Sequence, residues 1–145
     1  MITLIRKYRT TDTDAIVRAY YNASKLAHPF LTEEFLQKVM CDIPELYLPN
    51  TETWIAEEEG AVAGFLSLMG NEVAALFLEP DYHGKGIGRA LMDKAVLEKG
   101  DLEVVVFKEN AIGRAFYDRY GFKKIDEFPF EETGDLCFRM AFKAA

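Results

Sequence analysis

The chain contains the stretch Leu76-Phe77-Leu78-Glu79-Pro80-Asp81-Tyr82-His83-Gly84-Lys85-Gly86-Ile87-Gly88-Arg89-Ala90-Leu91, around which its other elements are organised. The pattern predicts an apolar strand, a turn at Pro80, a glycine-rich loop and then a helix. Glycines 84, 86 and 88 allow consecutive backbone N–H groups to be exposed. These amides lie where the following helix presents its unpaired donors and the positive end of its dipole. The stretch therefore predicts a phosphate-binding loop, with Lys85 and Arg89 supplying charge at its rim.

Two common phosphate-binding loops are excluded by the spacing of these glycines. The dinucleotide pattern G-x-G-x-x-G and the pattern G-x-x-x-x-G-K-[ST] both require a further glycine at position 89, counted from Gly84. Arg89 occupies that position. A dinucleotide loop should also follow the first strand of its unit, whereas this loop begins past the middle of the chain.

The remaining pattern resembles the GNAT superfamily of acetyl-CoA-dependent N-acetyltransferases. Its pyrophosphate loop, [QR]-x-x-G-x-[GA], corresponds to His83-Gly84-Lys85-Gly86-Ile87-Gly88, with His83 in place of the usual Gln or Arg. A second motif, N-x-x-[AG]-x-x-x-Y followed by G-F, corresponds to Asn110–Tyr117 and Gly121-Phe122. The resemblance covers nearly the whole chain and is weakest in residues 25–50.

Composition sets the outer bounds of this interpretation. The 145 residues suffice for a single domain spanning 1–145, and the net charge of −7 argues against a nucleic-acid partner. The acidic balance is compatible with a cationic amine substrate. The chain has no apolar run near the ~20 residues of a membrane span and no signal-peptide pattern. Cys41 and Cys137 lack metal-ligand spacing, so we expect reduced thiols, no bound metal and a cytoplasmic protein.

Hydrophobic periodicity predicts an α/β (α+β) fold. A first strand covers 2–6, and helices follow over about 11–26 and from 32 to near Pro44. Strands at 54–56, 62–69 and 72–78 form an antiparallel meander, and a helix over 86–99 leads to a strand at 102–107 that should lie parallel to the 72–78 strand. A helix over 110–120 and a closing pair at 122–126 and 136–141 complete the fold. The resemblance implies six to seven strands, mostly antiparallel, about four flanking helices, and a splayed parallel pair of central strands.

The resemblance also implies which residues bind the coenzyme. Residues His83, Gly84, Lys85, Gly86, Ile87, Gly88 and Arg89 would hold the pyrophosphate. The pantetheine arm would lie along the backbone of Leu76, Phe77 and Leu78. Asn110 would bond the coenzyme or act as an ordinary helix N-cap, and the two roles can coexist. Tyr117 would be the general acid that protonates the leaving thiolate, the alternative being a half-buried aromatic of the core.

The general base has two candidates. Glu72 matches a base position used by some members of the family, and simple alternation places it on the face of Ala74 and Leu76. His28 lies on the connection between the first two helices, which borders the acceptor site in the family, and its near-neutral pKa suits the role. Val105 stands where other members carry a glutamate. A water relay, or an acceptor that arrives as free amine, is the third possibility.

We therefore predict an acetyl-CoA-dependent N-acetyltransferase that transfers acetyl to a primary amine by direct attack in a ternary complex. The acceptor is a small molecule or a peptide or protein amine, and the protein is a monomer or a homodimer. The competing hypothesis is a non-catalytic acyl-CoA-binding or interaction module on the same fold.

Overall fold

A single mixed sheet forms the centre of the molecule, as described for residues 3–145 by a computed structural model. Position 2 of the predicted first strand lies outside the described residues. The strands are β1 (Thr3–Lys7), β2 (Glu52–Glu58), β3 (Ala61–Met69), β4 (Glu72–Leu78), β5 (Leu102–Phe107), β6 (Lys123–Pro129) and β7 (Leu136–Phe142). Their order across the sheet is β1-β2-β3-β4-β5-β7-β6, and every neighbouring pair is antiparallel except β4–β5. The predicted fold class is confirmed.

Four α-helices flank this sheet within the described residues. They are α1 (Thr13–Ala27), α2 (Glu33–Asp42), α3 (Ile87–Lys99) and α4 (Ala111–Tyr120). The Thr32 side chain starts α2 by accepting a hydrogen bond from the Phe35 N–H at 3.1 Å, and Gly100 ends α3 with a positive φ of 78°. A five-residue π-helical turn, Ile43–Tyr47, continues from α2. None of these helices is long and apolar enough to cross a membrane.

The apolar helix faces cover opposite sides of the sheet. One core cluster joins α1 and α2 to the sheet through residues such as Ile16, Leu36, Ile55 and Phe65. The other joins α3 and α4 to the opposite side; its buried members include Leu66, Val73, Leu91, Val104 and Tyr117. Burial of apolar surface on both sides fixes the central strands β3, β4 and β5 between two helical layers.

The parallel strands β4 and β5 separate soon after they begin. Their register contains only the pairs Glu72↔Glu103 and Val73↔Val104, so the rest of β4 lacks a partner on that side. On its other side β4 stays paired with β3 as far as Gly64↔Leu78. The splayed central pair is thus present, with an open backbone edge along the last residues of β4.

A bulge at Ala74 changes the direction of the side chains along β4. Ser67 of β3 pairs with Ala75 and Leu68 pairs with Val73, which leaves Ala74 as an extra residue. Val73 and Leu76 consequently both pack on the α3 side of the sheet. The prediction that Glu72 shares a face with Leu76 is wrong, because simple alternation does not survive a bulge.

Candidate active site

A cavity of about 510 Å³ opens where β4 and β5 separate. Its walls come from the end of β4, the loop before α3, the helix α4 and the last turns of α1. The lining residues used below are Leu76, Phe77, Leu78, His83, Gly84, Gly86, Ile87, Gly88, Arg89, Asn110, Tyr117 and Arg119. The structure therefore brings together nearly all of the predicted coenzyme residues and the predicted acid; Lys85 belongs to the same loop.

The glycine-rich loop presents an unbroken run of free backbone donors. Gly84 and Gly86 have φ values of +75° and +80°, a left-handed conformation that other residues rarely adopt. The amides of residues 84–89 find no hydrogen-bond acceptor within residues 3–145; the first amide of this region to do so is that of Ala90, which donates to the Gly86 carbonyl at 3.0 Å. Because α3 begins at Ile87, its dipole adds positive potential at the same place. This arrangement can bind a phosphate or pyrophosphate group.

His83 holds the turn that leads into this loop. Its Nε2 lies 3.2 Å from the Leu78 carbonyl oxygen, and since a carbonyl can only accept, the imidazole donates through Nε2. The backbone N–H of His83 also donates to the Pro80 carbonyl. His83, which departs from the family pattern, thus links Leu78 at the end of β4 to the loop, and it also lines the cavity.

Cationic side chains surround the mouth of the cavity although the whole chain is acidic. The Arg89 guanidinium lies over the Tyr120 ring, 5.1 Å from its centroid, and the Lys85 ammonium lies 5.6 Å from that of Tyr82. Arg119 of α4 also lines the cavity. These exposed cations can pair with coenzyme phosphates that extend beyond the loop.

Tyr117, the predicted acid, is a buried residue that lines the cavity. The side chain is only 7% exposed and packs edge-on against Phe116 and Phe122, at centroid distances of 5.5 and 5.4 Å. Burial raises the pKa of the phenol, so the hydroxyl keeps its proton. No acceptor for this hydroxyl is found among the described residues, and the residue lies on the cavity wall. The geometry fits a donor that is free to serve a ligand.

Asn110 begins α4 and has both ends of its side-chain amide engaged. Its Oδ1 accepts from the Gly113 N–H at 2.8 Å, which is the predicted N-cap bond. Its Nδ2 lies 3.1 Å from Nε2 of His28. One amide hydrogen remains for a coenzyme, so the two predicted roles remain compatible.

His28 is buried at the end of α1. The imidazole is 7% exposed and meets Phe30, Phe77 and Phe107 edge-on, with centroid distances between 5.1 and 6.3 Å. Desolvation lowers the pKa of this histidine to about 4. It contacts Asn110 but does not line the cavity.

Glu72 lies at the closed end of the separated strands, away from the cavity. Its carboxylate accepts a hydrogen bond from Arg139 at 3.0 Å, and the same guanidinium nitrogen binds Glu103 at 3.1 Å. Val104 belongs to the core on the α3 side, so its neighbour Glu103 points to the other side of the sheet. Glu72, Glu103 and Arg139 therefore lie on the side opposite Leu76. The structure does not bring Glu72 to the other candidate residues.

Several residues that line or shape the cavity were not anticipated, among them Arg119 in its wall and Gly64 behind the end of β4. Gly64 is fully surrounded where β3 meets the end of β4, and a Cβ at this position would lie 2.6 Å from the Phe77 carbonyl oxygen. An isolated glycine within a strand pattern indicates such a close approach and could have marked it. Arg119 had no comparable signal, because its place at the cavity depends on how α4 packs against the loop.

The comparisons with known proteins identify the class to which this site belongs. Residues 49–124 match the family model described as an acetyltransferase (GNAT) domain. Over 124 residues, 85% of each chain, the sequence is 30% identical to the peptidyl-lysine N-acetyltransferase YiaC of Escherichia coli K12. It is 29% identical over 135 residues to the peptidyl-lysine N-acetyltransferase YjaB of the same organism, covering 92% of this chain and 91% of the relative.

Solved structures agree with this assignment. The solution structure of apo-form YjaB from Escherichia coli superposes with a TM-score of 0.88 at 27% identity and 100% coverage of both chains. The PaiA N-acetyltransferase of Thermoplasma acidophilum, solved with coenzyme A, shares the fold with a TM-score of 0.81 at 22% identity over 99% of each chain. The chain belongs to the GNAT family. As predicted, it is an N-acetyltransferase that takes acetyl-CoA as its donor and an amine as its acceptor.

Proposed function

We propose that this enzyme acetylates the ε-amine of lysine in a peptide or protein, by direct attack of the amine on acetyl-CoA in a ternary complex. The observation that carries the reaction is the run of free amides at residues 84–89 beside the open edge of β4, with Tyr117 lining the same cavity. Support for the acceptor comes from YiaC and YjaB, which are both named as peptidyl-lysine N-acetyltransferases.

The loop and the β4 edge would hold the two halves of the coenzyme. The amides of residues 84–89 would bind the pyrophosphate, and Lys85 and Arg89 would add charge at the rim. The pantetheine amides would pair with the backbone of Leu76, Phe77 and Leu78, because β5 has already diverged there. Backbone donors at this edge would also polarise the thioester carbonyl.

Tyr117 would act as the general acid. Acetyl-CoA supplies a thioester: the acceptor nitrogen bonds to its carbonyl carbon, the carbon–sulfur bond breaks, and sulfur takes the electron pair. Tyr117 would then give its proton to that sulfur, and the phenolate would be reprotonated through water by the proton that the acceptor nitrogen releases. The raised pKa of the buried phenol keeps the proton available at neutral pH.

The acceptor proton would leave through water rather than to either predicted base. Glu72 is bound to Arg139 and lies away from the cavity. The Nε2 lone pair of His28 faces the Asn110 amide, and the low pKa of this imidazole makes it a weak base. Since a lysine ammonium has a pKa near ~10.4, turnover should rise with pH as free amine accumulates.

Acidic residues lie next to part-buried aromatic rings between α2 and the β6–β7 turn, and this arrangement supports a cationic acceptor. The helix α2 starts with Glu33 and Glu34, and Lys38 of α2 binds Glu132 of the β6–β7 turn at 3.1 Å. Phe35 and Phe130 meet across the same gap with ring centroids 6.2 Å apart. Glu33 and Glu132 are paired with Lys25 and Lys38, whereas Glu34 and Glu131 form no ion pair within residues 3–145. These two carboxylates would favour the approach of lysine, and the aromatic rings would pack against its aliphatic stem.

The proposal is tested with two matched peptides. One has a blocked N-terminus and a single internal lysine, and the other has a free N-terminus and arginine in place of lysine. Thiol release from acetyl-CoA and mass spectrometry should show acetylation of the lysine peptide alone. Acetylation of the α-amine alone would contradict the lysine proposal. Tight acetyl-CoA binding without turnover on a broad panel of amines would favour the non-catalytic alternative.

A further inference from the structure

The imidazole of His28 bridges two parts of the molecule that are distant in sequence. His28 caps the end of α1: its N–H donates to the Ser24 carbonyl at 2.7 Å, and its carbonyl accepts from Leu31 at 3.0 Å. These two bonds fix the backbone of the α1–α2 connection at this residue. The side chain then reaches Asn110, 82 residues further along the chain.

The direction of the hydrogen bond between them follows from the cap of α4. Because Asn110 uses Oδ1 to accept from the Gly113 N–H, its NH2 group must face His28. An amide nitrogen can only donate, so Nε2 of His28 accepts and carries no proton. His28 is therefore the neutral tautomer with its proton on Nδ1, and burial among three phenylalanines favours the same neutral state.

Gly113 packs tightly against the side-chain amide of Asn110. A Cβ at Gly113 would lie 2.5 Å from Nδ2 and 3.0 Å from Cγ of Asn110. Its φ is not positive, so the absence of a side chain here serves packing rather than backbone conformation. The position of Asn110 thus depends on His28 on one side and on Gly113 on the other.

We propose that His28 is a positioning residue: its unprotonated Nε2 fixes the Asn110 amide, and through it the start of the helix that carries Tyr117. Asn110 and Tyr117 both line the cavity; Asn110 caps α4, and Tyr117 lies about two turns further along that helix. The contact therefore couples the α1–α2 connection to the coenzyme side of the site. The expected change in kcat rests on the proposed function, whereas the tautomer of His28 and its contact with Asn110 do not.

A matched pair of variants separates positioning from packing. In His28→Gln the side-chain oxygen can replace Nε2 as acceptor, whereas His28→Leu fills similar volume without any acceptor. We expect kcat of His28→Leu to fall by about 10- to 100-fold, as for a misplaced catalytic group, and His28→Gln to recover most of it. Gly113→Ala should resemble His28→Leu, because the added methyl displaces Asn110. Equal kcat in the Gln and Leu variants, at equal thermal stability, would overturn the proposal.

Imidazole ¹⁵N NMR tests the contact independently of any acceptor. The chain has two histidines, so the spectrum of His28→Gln assigns both. His28 should show the Nδ1–H tautomer at pH 7, and a proton on Nε2 would refute the inference. If wild type acetylates no lysine peptide, the proposed function fails; positioning is then judged from acetyl-CoA affinity by calorimetry. That affinity should fall in His28→Leu and recover in His28→Gln, and equal affinities would refute positioning.

Discussion

Acidification should destabilise the fold through His28, and the size of the effect follows from its burial. The pKa of His28 is lowered from 6.5 to about 4 in the folded protein. Between these values the unfolded chain binds a proton that the native state does not, so stability falls as pH falls. The contribution is fully present above pH 6.5 and is lost by pH 4. The whole shift corresponds to about 3 kcal/mol, and the part lost between pH 7 and 4.5 to about 2 kcal/mol.

The measurement compares urea unfolding of wild type and His28→Gln at several pH values from 7 to 4.5. The variant lacks the His28 imidazole, so its free energy of unfolding should fall less over this range, by about 2 kcal/mol. The same difference should appear as a shift of about 5 °C in Tm. The lowered pKa of Asp12, which Arg6 binds, acts in both proteins and cancels. Parallel pH profiles would show that His28 is not desolvated in the native state and would refute this reasoning.

Four further substitutions test the site. Tyr117→Phe should keep acetyl-CoA affinity while turnover falls on the order of 10²–10⁴, and unchanged turnover in a chemistry-limited assay would return Tyr117 to a packing role. Gly86→Ala and its control Gly60→Ala both place a side chain at a φ near +80°, costing ~1–2 kcal/mol each, but only the first should weaken acetyl-CoA binding by calorimetry. Gly64→Ala should cost about 1–3 kcal/mol and also weaken binding, because the methyl pushes against β4; unchanged affinity would contradict its placement. Glu72→Gln should retain turnover, since it breaks only a partly exposed ion pair worth ~1 kcal/mol or less, and a deficit that shrinks at high pH would restore Glu72 as the base.

The features that the sequence predicted well are those determined by local chemistry. Glycines at 84 and 86 adopt a conformation that few other residues tolerate, so the loop could be recognised from residue type alone. Asn110 at the start of α4 is equally local, because an N-cap acts within three residues. The strand, loop and helix around residue 80 and the helix after residue 110 consequently lie where they were expected.

The features that escaped prediction depend on contacts between distant segments. The hydrogen bond from Asn110 to His28 joins residues 82 positions apart, and it turns a plausible base into a buried acceptor. Arg139, which binds Glu72, comes from β7 and has no motif of its own. Neither contact leaves a pattern in a single sequence, because each depends on the order of strands in the sheet and on the packing of α1 against α4.

The bulge at Ala74 connects the open coenzyme edge with the exclusion of Glu72. A bulge bends its strand and increases the local twist, and this one follows directly on Val73, the last residue of β4 that pairs with β5. Beyond it β4 diverges from β5 while β3 stays paired with it as far as Leu78, and Gly64 permits this close approach because it has no side chain. Because of the extra residue, Glu72 and Val73 point to the sides of the sheet opposite to those that simple alternation from Leu76 predicts. Glu72 therefore turns toward Arg139. The irregularity that accompanies the open edge therefore also removes the carboxylate from the face on which alternation would have placed it.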